Sequence, residues 1–252
     1  DVLLTYFQLE TSKKPIKVKE LETVSGASSA TIKALVDKDV LEYYLIQTDR
    51  ISFNGNTNDL KELNEFQEQA LQEIKTSFKT KEVTLLHGIT SSGKTEVYTK
   101  LIQETLDSGK QALFLLPEIA LTTQIIVRLQ HYFGNQISVF HSKYSMNERV
   151  EVWNNVLENK SKAQIILGAR SSIFLPFKDL GLIVVDEEHE TSYKQFEPSP
   201  RYNARDAAIV LSHIHQGKIV LGSATPSLET YFNASENKYG FVTLNRRFGN
   251  VQ

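Results

Sequence analysis

The sequence predicts an α/β fold: a parallel sheet with crossover helices, preceded by a small and mostly helical domain. Three observations predict it. Seven short apolar runs recur from about residue 60 onward: Val83–His87, Gln111–Pro117, Ile137–His141, Gln164–Gly168, Leu180–Asp186, Lys218–Ser223 and Phe241–Leu244. They are β-branched and unalternating, as strands are when both faces are covered. Amphipathic segments separate most of them, such as Ile119–Phe133, Met146–Glu158 and Ala204–Gln216, which is the pattern of a parallel sheet with crossover helices. Residues 1–62 follow another pattern, so the expected partition is a small domain over 1–55 and a large one over 56–252.

In the small domain, Lys17–Thr23 and Thr31–Lys38 read as helices, with a turn near Gly26 and a cap from Ser28-Ser29. Leu41 to Thr48 alternates like a β-ribbon. Two short helices across a tight turn and then a ribbon resemble a winged helix. Such a domain reads DNA with its second helix, but charge opposes that here. Residues 1–62 hold eight Lys/Arg against ten Asp/Glu, and Asp37 and Asp39 fall on that helix. A packing or protein-interaction role is the expectation. Ser52 to Asp59 is a polar linker.

Composition narrows the class. The 252 residues are 40% hydrophobic and 23% charged, ordinary for a globular protein. No apolar run approaches the roughly 18 residues that span a bilayer, and no signal peptide is visible. The expected compartment is the cytoplasm. There is no Cys, which excludes disulfides and thiolate metal sites. A formal net charge of −2 argues against bulk electrostatic binding of nucleic acid but leaves a local groove possible.

Gly88-Ile-Thr90-Ser91-Ser92-Gly93-Lys94-Thr95 matches G-x-x-x-x-G-K-[ST] at every fixed position. Chance would give about one such match per hundred chains of this length. Here it also lies between a strand and a helix beginning near Glu96. Glycines let successive N–H groups face phosphate oxygens, and the helix adds its positive end. Lys94 would reach the β- and γ-phosphates, and the Thr95 hydroxyl would hold Mg²⁺. Leu182-Ile-Val-Val-Asp186-Glu187-Glu188-His189 is the second signal. An acidic cluster ends an apolar strand, where ligands of such sheets bind. It is expected on a strand neighbouring the loop, with Asp186 for Mg²⁺ and Glu187 to polarise the attacking water. Gly222-Ser223-Ala224-Thr225-Pro226 ends the next strand, beside the γ-phosphate position, and His189 is expected to link the cluster to Ser223 and Thr225. The histidines lack metal-ligand spacing, so no zinc is expected. Trp153 shares an amphipathic helix with Val150, Val156 and Leu157, so core packing is expected for it.

These three motifs in this order resemble the first, RecA-type lobe of a superfamily 2 helicase. Leu115-Leu-Pro117-Glu118, Phe140-His141-Ser142, Gly168-Ala169-Arg170-Ser171, Asp186 through Gln195, Arg201 through Asp206 and Ser223 through Glu229 are similar to bacterial replication-restart helicases, the primosomal protein N-prime family. The resemblance covers nearly the whole chain. It implies ATP and Mg²⁺ as cofactors. Gln67, in Leu63-Asn64-Glu-Phe-Gln67, would read adenine. It also implies an aromatic-rich loop that senses DNA and relays to the ATP site. Tyr193, Phe196 and Tyr202 would stack bases while Lys194, Arg201 and Arg205 hold phosphates, although Tyr193 and Phe196 could equally pack under their own loop. Arg170, Ser171 and Ser172 would touch the DNA backbone, with a surface salt bridge the other reading of Arg170.

Ser91, Ala169 and Asn203 depart from the family's usual Gly, Thr and His, and Glu197-Pro-Ser-Pro200 looks inserted. The family's DNA-end-binding domain, zinc cysteines and second motor lobe with its arginine finger have no counterpart in these residues. The expectation is therefore a piece comprising a winged helix and helicase lobe 1, acting on forked or single-stranded DNA beside primosome or single-strand-binding proteins. Two other readings fit the same residues: a nucleotide-dependent DNA-binding scaffold, or another superfamily 2 translocase.

Overall fold

The computed structural model describes residues 2–10, 16, 18–38, 40–41, 57–118, 120, 123–141 and 144–245. It divides into two compact units, 1–48 and 49–252. The first contains α1 (Val2–Glu10), α2 (Val18–Ser25) and α3 (Ser29–Val36). Val2, Leu21 and Ile32 bury one side chain from each helix, with Tyr6, Leu9 and Leu35 packed around them. Gly26 takes φ +66° in the turn. Ser28 caps α3 by accepting from Thr31 N. α1 is nearly apolar throughout and carries no clear period, which is why the sequence did not announce it. Asp37 is the C-cap of α3 rather than a residue of its exposed face. Asp39, the expected ribbon over 41–48 apart from Leu41, and most of the polar linker lie outside the described residues.

The second unit runs α4 (Glu65–Ser77), β1 (Val83–Gly88), α5 (Lys94–Asp107), β2 (Gln111–Leu115), α6 (Thr123–Phe133), β3 (Ile137–Phe140), α7 (Met146–Leu157), β4 (Ile165–Gly168), β5 (Leu180–Asp186), β6 (Lys194–Gln195), β7 (Tyr202–Asn203), α8 (Ala204–Ile214), β8 (Lys218–Ser223), α9 (Leu228–Ser235) and β9 (Gly240–Leu244). The seven expected strands form one sheet in the order β3-β4-β2-β5-β8-β1-β9. Every pair is parallel. β6 and β7 form a separate antiparallel hairpin.

Side chains of each strand alternate between two cores. Leu86, Phe114, Val184 and Val220 face one core with Leu71 and Ile74 of α4, Tyr98 and Ile102 of α5 and Leu129 of α6. Leu85, Leu113, Ile183 and Leu221 face the other with Val156 of α7 and Ala208 of α8. Burial on both faces is what makes these strands read as continuous apolar runs.

α7 corrects one expectation. It buries Val152 and Val156, while Val150, Trp153 and Leu157 are exposed. The buried pair sits at i, i+4, and the residues beside it turn outward, so Trp153 is a surface residue. α4 and α9 also went unannounced: α4 is 13 residues long but buries only three apolar side chains, Ala70, Leu71 and Ile74, and α9 is 8 residues long and buries one, Ala234. Among the described residues no helix is long and apolar enough to cross a membrane.

Gln111, fully buried at the start of β2, ties the sheet to its connections. Its Nε2 donates to Ala163 O (3.1 Å), and its Oε1 accepts from Lys178 N (2.9 Å) and Asp179 N (3.3 Å). Gln111→Met keeps the volume but strands these backbone groups. It should cost about 2–4 kcal/mol of unfolding free energy at roughly 1 kcal/mol or more per orphaned group. Urea denaturation measures this, and a cost below about 0.5 kcal/mol, typical of a neutral surface change, would contradict it.

Candidate nucleotide site

Register builds the site. In the parallel sheet, His87 lies opposite Ser223 and Asp186 lies opposite Gly222. The ends of β1, β8 and β5 therefore stand side by side at one edge. β8 lies between the other two, so the acidic cluster is one strand farther from the phosphate loop than expected. The intervening strand brings Ser223 and Thr225 between them.

The loop from Gly88 to Lys94 crosses this edge into α5. Gly93 takes φ +85°, and a Cβ there would fall 2.0 Å from Gln67 Nε2. Ser91 holds φ +62°, a conformation that suits the Gly expected at its position. The Ser92 Oγ is buried with no hydrogen-bond partner, as in a cradle shaped for another group's oxygen. Lys94 is buried, and its Nζ donates to Gly88 O (2.8 Å) while standing 4.0 Å from Glu187 Oε1.

A cavity of ≈ 390 Å³ opens over this loop, lined by Thr90, Ser91, Ser92, Gly93, Lys94, Thr95, Glu96, Arg128, Asp186 and Glu187. Eight of these ten residues come from the two motifs read in the sequence. Arg128 and Glu96 were missed. They form an ion pair at the rim, and Arg128 comes from a helix whose apolar period carried no hint of a cavity.

Asp186 is held by a residue that sequence reasoning also missed. Tyr98, buried one turn into α5, donates its hydroxyl to Asp186 Oδ1 (3.2 Å). A Cβ on Gly222 would fall 1.7 Å from that hydroxyl, so glycine there makes room for the bond. Burial, and then the Asp186 charge, push the Tyr98 phenol well up, which keeps it a donor. The Asp186 carboxyl is raised to about 6, by burial first and by Glu187 next, while Lys94 and the Tyr98 bond pull it down.

Glu187 takes φ +47°, a left-handed conformation that costs a non-glycine residue about 1–2 kcal/mol. Its neighbours anchor it on both sides. Glu188 N donates to Gly222 O (3.0 Å). His189 bridges to the next loop, with Nδ1 2.8 Å from Ser223 Oγ and Nε2 3.3 Å from Thr225 Oγ1. A neutral ring satisfies both contacts when Ser223 donates to Nδ1 and Nε2–H donates to Thr225.

The polar-aromatic hairpin divides into anchors and exposed groups, and several expectations change. Tyr193 is buried, with its hydroxyl on Asp186 O (2.6 Å) and Leu115 O (3.1 Å), so its ring has no free face for a base. Tyr202 packs edge-on against Phe174, centroids 5.0 Å apart. Arg170 is half-buried, and its Nη1 donates to Lys194 O (3.3 Å) and Ser192 O (3.4 Å). Ser171 is half-buried, and Ser172 is buried on Phe140 O (3.2 Å). Arg205 is turned inward onto Glu188 (3.1 Å). Lys194, Phe196 and Arg201 are exposed, with Lys194 Nζ 4.9 Å from the Phe196 ring centroid.

Gln67, the residue expected to read adenine, is packed against the phosphate loop. It is fully buried, accepts from Asn64 N (3.0 Å) in a capping box, and donates to Gly93 O (3.3 Å). Its amide braces the phosphate loop.

The Asp186 value is directly testable in the metal-free chain. Its carboxyl ¹³C resonance should titrate with a midpoint near 6. Glu187→Gln removes a like charge and should lower the midpoint, whereas Lys94→Met removes a cation and should raise it. A midpoint near 4 that neither change moves would contradict this account of the cluster.

Comparison with known proteins now has a geometry to meet. Residues 64–233 match the DEAD/DEAH box helicase family, and residues 1–48 match the winged helix domain of PriA helicase from Bacteroidota. Replication restart protein PriA of Bacillus subtilis (strain 168) is 40% identical over 237 residues, covering 92% of this chain and 29% of that protein. Replication restart protein PriA of Rickettsia prowazekii (strain Madrid E) is 39% identical over 265 residues, covering 97% and 40%. The chain thus spans about three to four tenths of these relatives' length. Among solved structures, RecG bound to a three-way DNA junction shares the fold with TM-score 0.54 at 19% identity, over 89% of this chain and 26% of that one. A phosphate loop and an acidic strand end on one sheet edge, together with these matches, make the chain a member of the DEAD/DEAH box helicase family, on the branch of the replication restart proteins PriA.

Proposed function

We propose that this chain is the winged-helix unit and ATP-binding lobe of a DNA helicase that restarts stalled replication forks by loading the primosome. The observation that carries the proposal is the convergence of Lys94, Glu187 and Asp186 on one cavity, with Lys94 Nζ 4.0 Å from Glu187 Oε1. Helicases of this family use a nucleotide and Mg²⁺. The residues present fit both: an orphaned Ser92 hydroxyl and glycine-shaped backbone for phosphate, and an oxygen pair, Thr95 and Asp186, for the ion. Among the described residues no cluster of three or more His, Asp or Glu side chains could hold a metal ion by itself. This suits Mg²⁺, which is commonly held by one or two protein ligands plus phosphates and water.

In this reading the backbone N–H groups of Thr90 to Thr95 bind the phosphates. Lys94 exchanges its bond to Gly88 O for the β- and γ-phosphates, and Glu187 takes a proton from the attacking water at its carboxylate. Mg²⁺, when bound, neutralises charge on the β- and γ-oxygens. His189 ties the Glu187 segment to Ser223 and Thr225, so that nucleotide state and the turn after β8 move together. Lys194, Phe196 and Arg201 offer the exposed cations and ring that forked or single-stranded DNA needs. The DNA assignment is supported by the relatives: RecG is known in complex with a DNA junction and helicase MrfA in complex with DNA. Primosome or single-strand-binding proteins complete the proposed set of partners, and the cytoplasm is the proposed compartment.

Calorimetry with a non-hydrolysable ATP analogue and Mg²⁺ tests the site. Lys94→Ala removes a charge-assisted bond worth about 1.5–3 kcal/mol and should weaken binding at least tenfold. Equal affinity would sink the assignment. Lys194→Ala with Phe196→Ala should leave that affinity unchanged and weaken single-stranded DNA binding, with a shallower salt dependence. Unchanged DNA affinity would remove the hairpin from the interface.

A further inference from the structure

Glu188 is fully buried, yet its carboxylate is an acceptor for three residues. Ser227 N lies at 2.7 Å, Ser227 Oγ at 3.0 Å, Thr230 Oγ1 at 2.9 Å and Arg205 Nη1 at 3.1 Å. Arg205 also donates to Ser227 Oγ (2.7 Å) and Asp206 Oδ1 (2.8 Å). Burying a carboxylate and a guanidinium together seldom adds net stability over a well-packed apolar pair. The location of the pair therefore matters more than its energy.

Arg205 lies two residues beyond β7, where the hairpin enters α8. Tyr193 lies one residue before β6, where the hairpin begins. The Tyr193 hydroxyl holds Asp186 O, and Arg205 holds the Glu188 carboxylate. The two feet of the hairpin thus grip the residues on either side of Glu187, the residue with φ +47°. A left-handed glutamate is kept by its surroundings, and here those surroundings are the ends of the segment that presents Lys194, Phe196 and Arg201.

We propose that Arg205, acting through Glu188, is a positioning residue that transmits the state of the hairpin to the Glu187 backbone. This rests on the nucleotide and DNA reading above. Arg205 touches neither nucleotide nor nucleic acid in this proposal. Without nucleic acid, the Tyr193 bond to Asp186 O and the Glu188 N bond to Gly222 O hold the Glu187 backbone. When nucleic acid pulls on Lys194, Phe196 and Arg201, Arg205 passes the displacement to Glu187 through the α8 end of the hairpin.

The test uses the native protein containing this chain, with ATP hydrolysis measured at saturating ATP, with and without single-stranded DNA. Arg205→Gln should lower DNA-stimulated turnover by about tenfold, within the 5–150-fold range of coupled sites. Basal turnover, nucleotide affinity and DNA affinity should stay within about twofold, the scale of a coupling change that leaves both sites intact. Arg205→Lys, which keeps the buried carboxylate paired, should recover part of the stimulation and keeps the proposal testable if Arg205→Gln fails to fold. Combining Arg205→Gln with Glu188→Gln should lower stimulation no further than the worse single change, because both sever one link. Basal and stimulated rates falling by the same factor in every variant would overturn the proposal, because the network would then be scaffolding alone. So would full stimulation in Arg205→Gln. If the unsubstituted protein ignores DNA, the DNA reading itself fails, and that control shows it separately.

Discussion

The parallel register of β5, β8 and β1 is the constraint on which the site depends. It sets Asp186 opposite Gly222 and Ser223 opposite His87, so three loops that are far apart in sequence leave the sheet at one level. Side chains then complete the edge from behind. Tyr98 reaches Asp186 across Gly222, and a β-carbon on Gly222 would displace its hydroxyl. Gln67 reaches Gly93 from α4, where a β-carbon would meet its amide. Two missing methyl groups thus leave room for the bonds that hold the acidic end and the phosphate loop.

The main chain of this edge was legible in the sequence. Runs buried on both faces lose alternation, so all seven strands could be read, and the phosphate loop has fixed glycines at fixed spacing. Side-chain direction was much less legible. Tyr193, Arg170 and Arg205 have the composition of a nucleic-acid surface, yet each bonds back onto the protein as an anchor, and Tyr202 is half-buried against the exposed ring of Phe174, while Lys194, Phe196 and Arg201 face out. Spacing along an irregular loop carries no period, so it does not say which ring is buried. The bracing contacts of Gln67 were hidden for a related reason: its partners are backbone atoms of a loop about 25 residues away in sequence, and backbone leaves no mark in sequence. Tyr98 and Arg128 sit on helices whose apolar pattern looked like ordinary core.

The anchors make the acidic segment a junction. Asp186 is held by Tyr98 and Tyr193, Glu188 by α8 and α9, and His189 by the turn after β8. Asp186 and Glu187 both line the cavity, and Glu187 reaches within 4.0 Å of Lys94 Nζ. Glu188 and His189 thus fix the backbone, and the two carboxylates before them are left for chemistry. The cost is a left-handed residue at Glu187, and the surrounding bonds are sufficient to hold it.

The central claim is that nucleotide and divalent cation meet between Thr95 and Asp186. Paramagnetic broadening by Mn²⁺ measures it directly in this chain. With a non-hydrolysable ATP analogue present, substoichiometric Mn²⁺ should broaden the resonances of Thr95, Asp186 and their loop neighbours and affect far less those of Val83, Leu180 and Lys218 at the opposite ends of β1, β5 and β8. Broadening centred elsewhere, or the same broadening without nucleotide, would contradict the account.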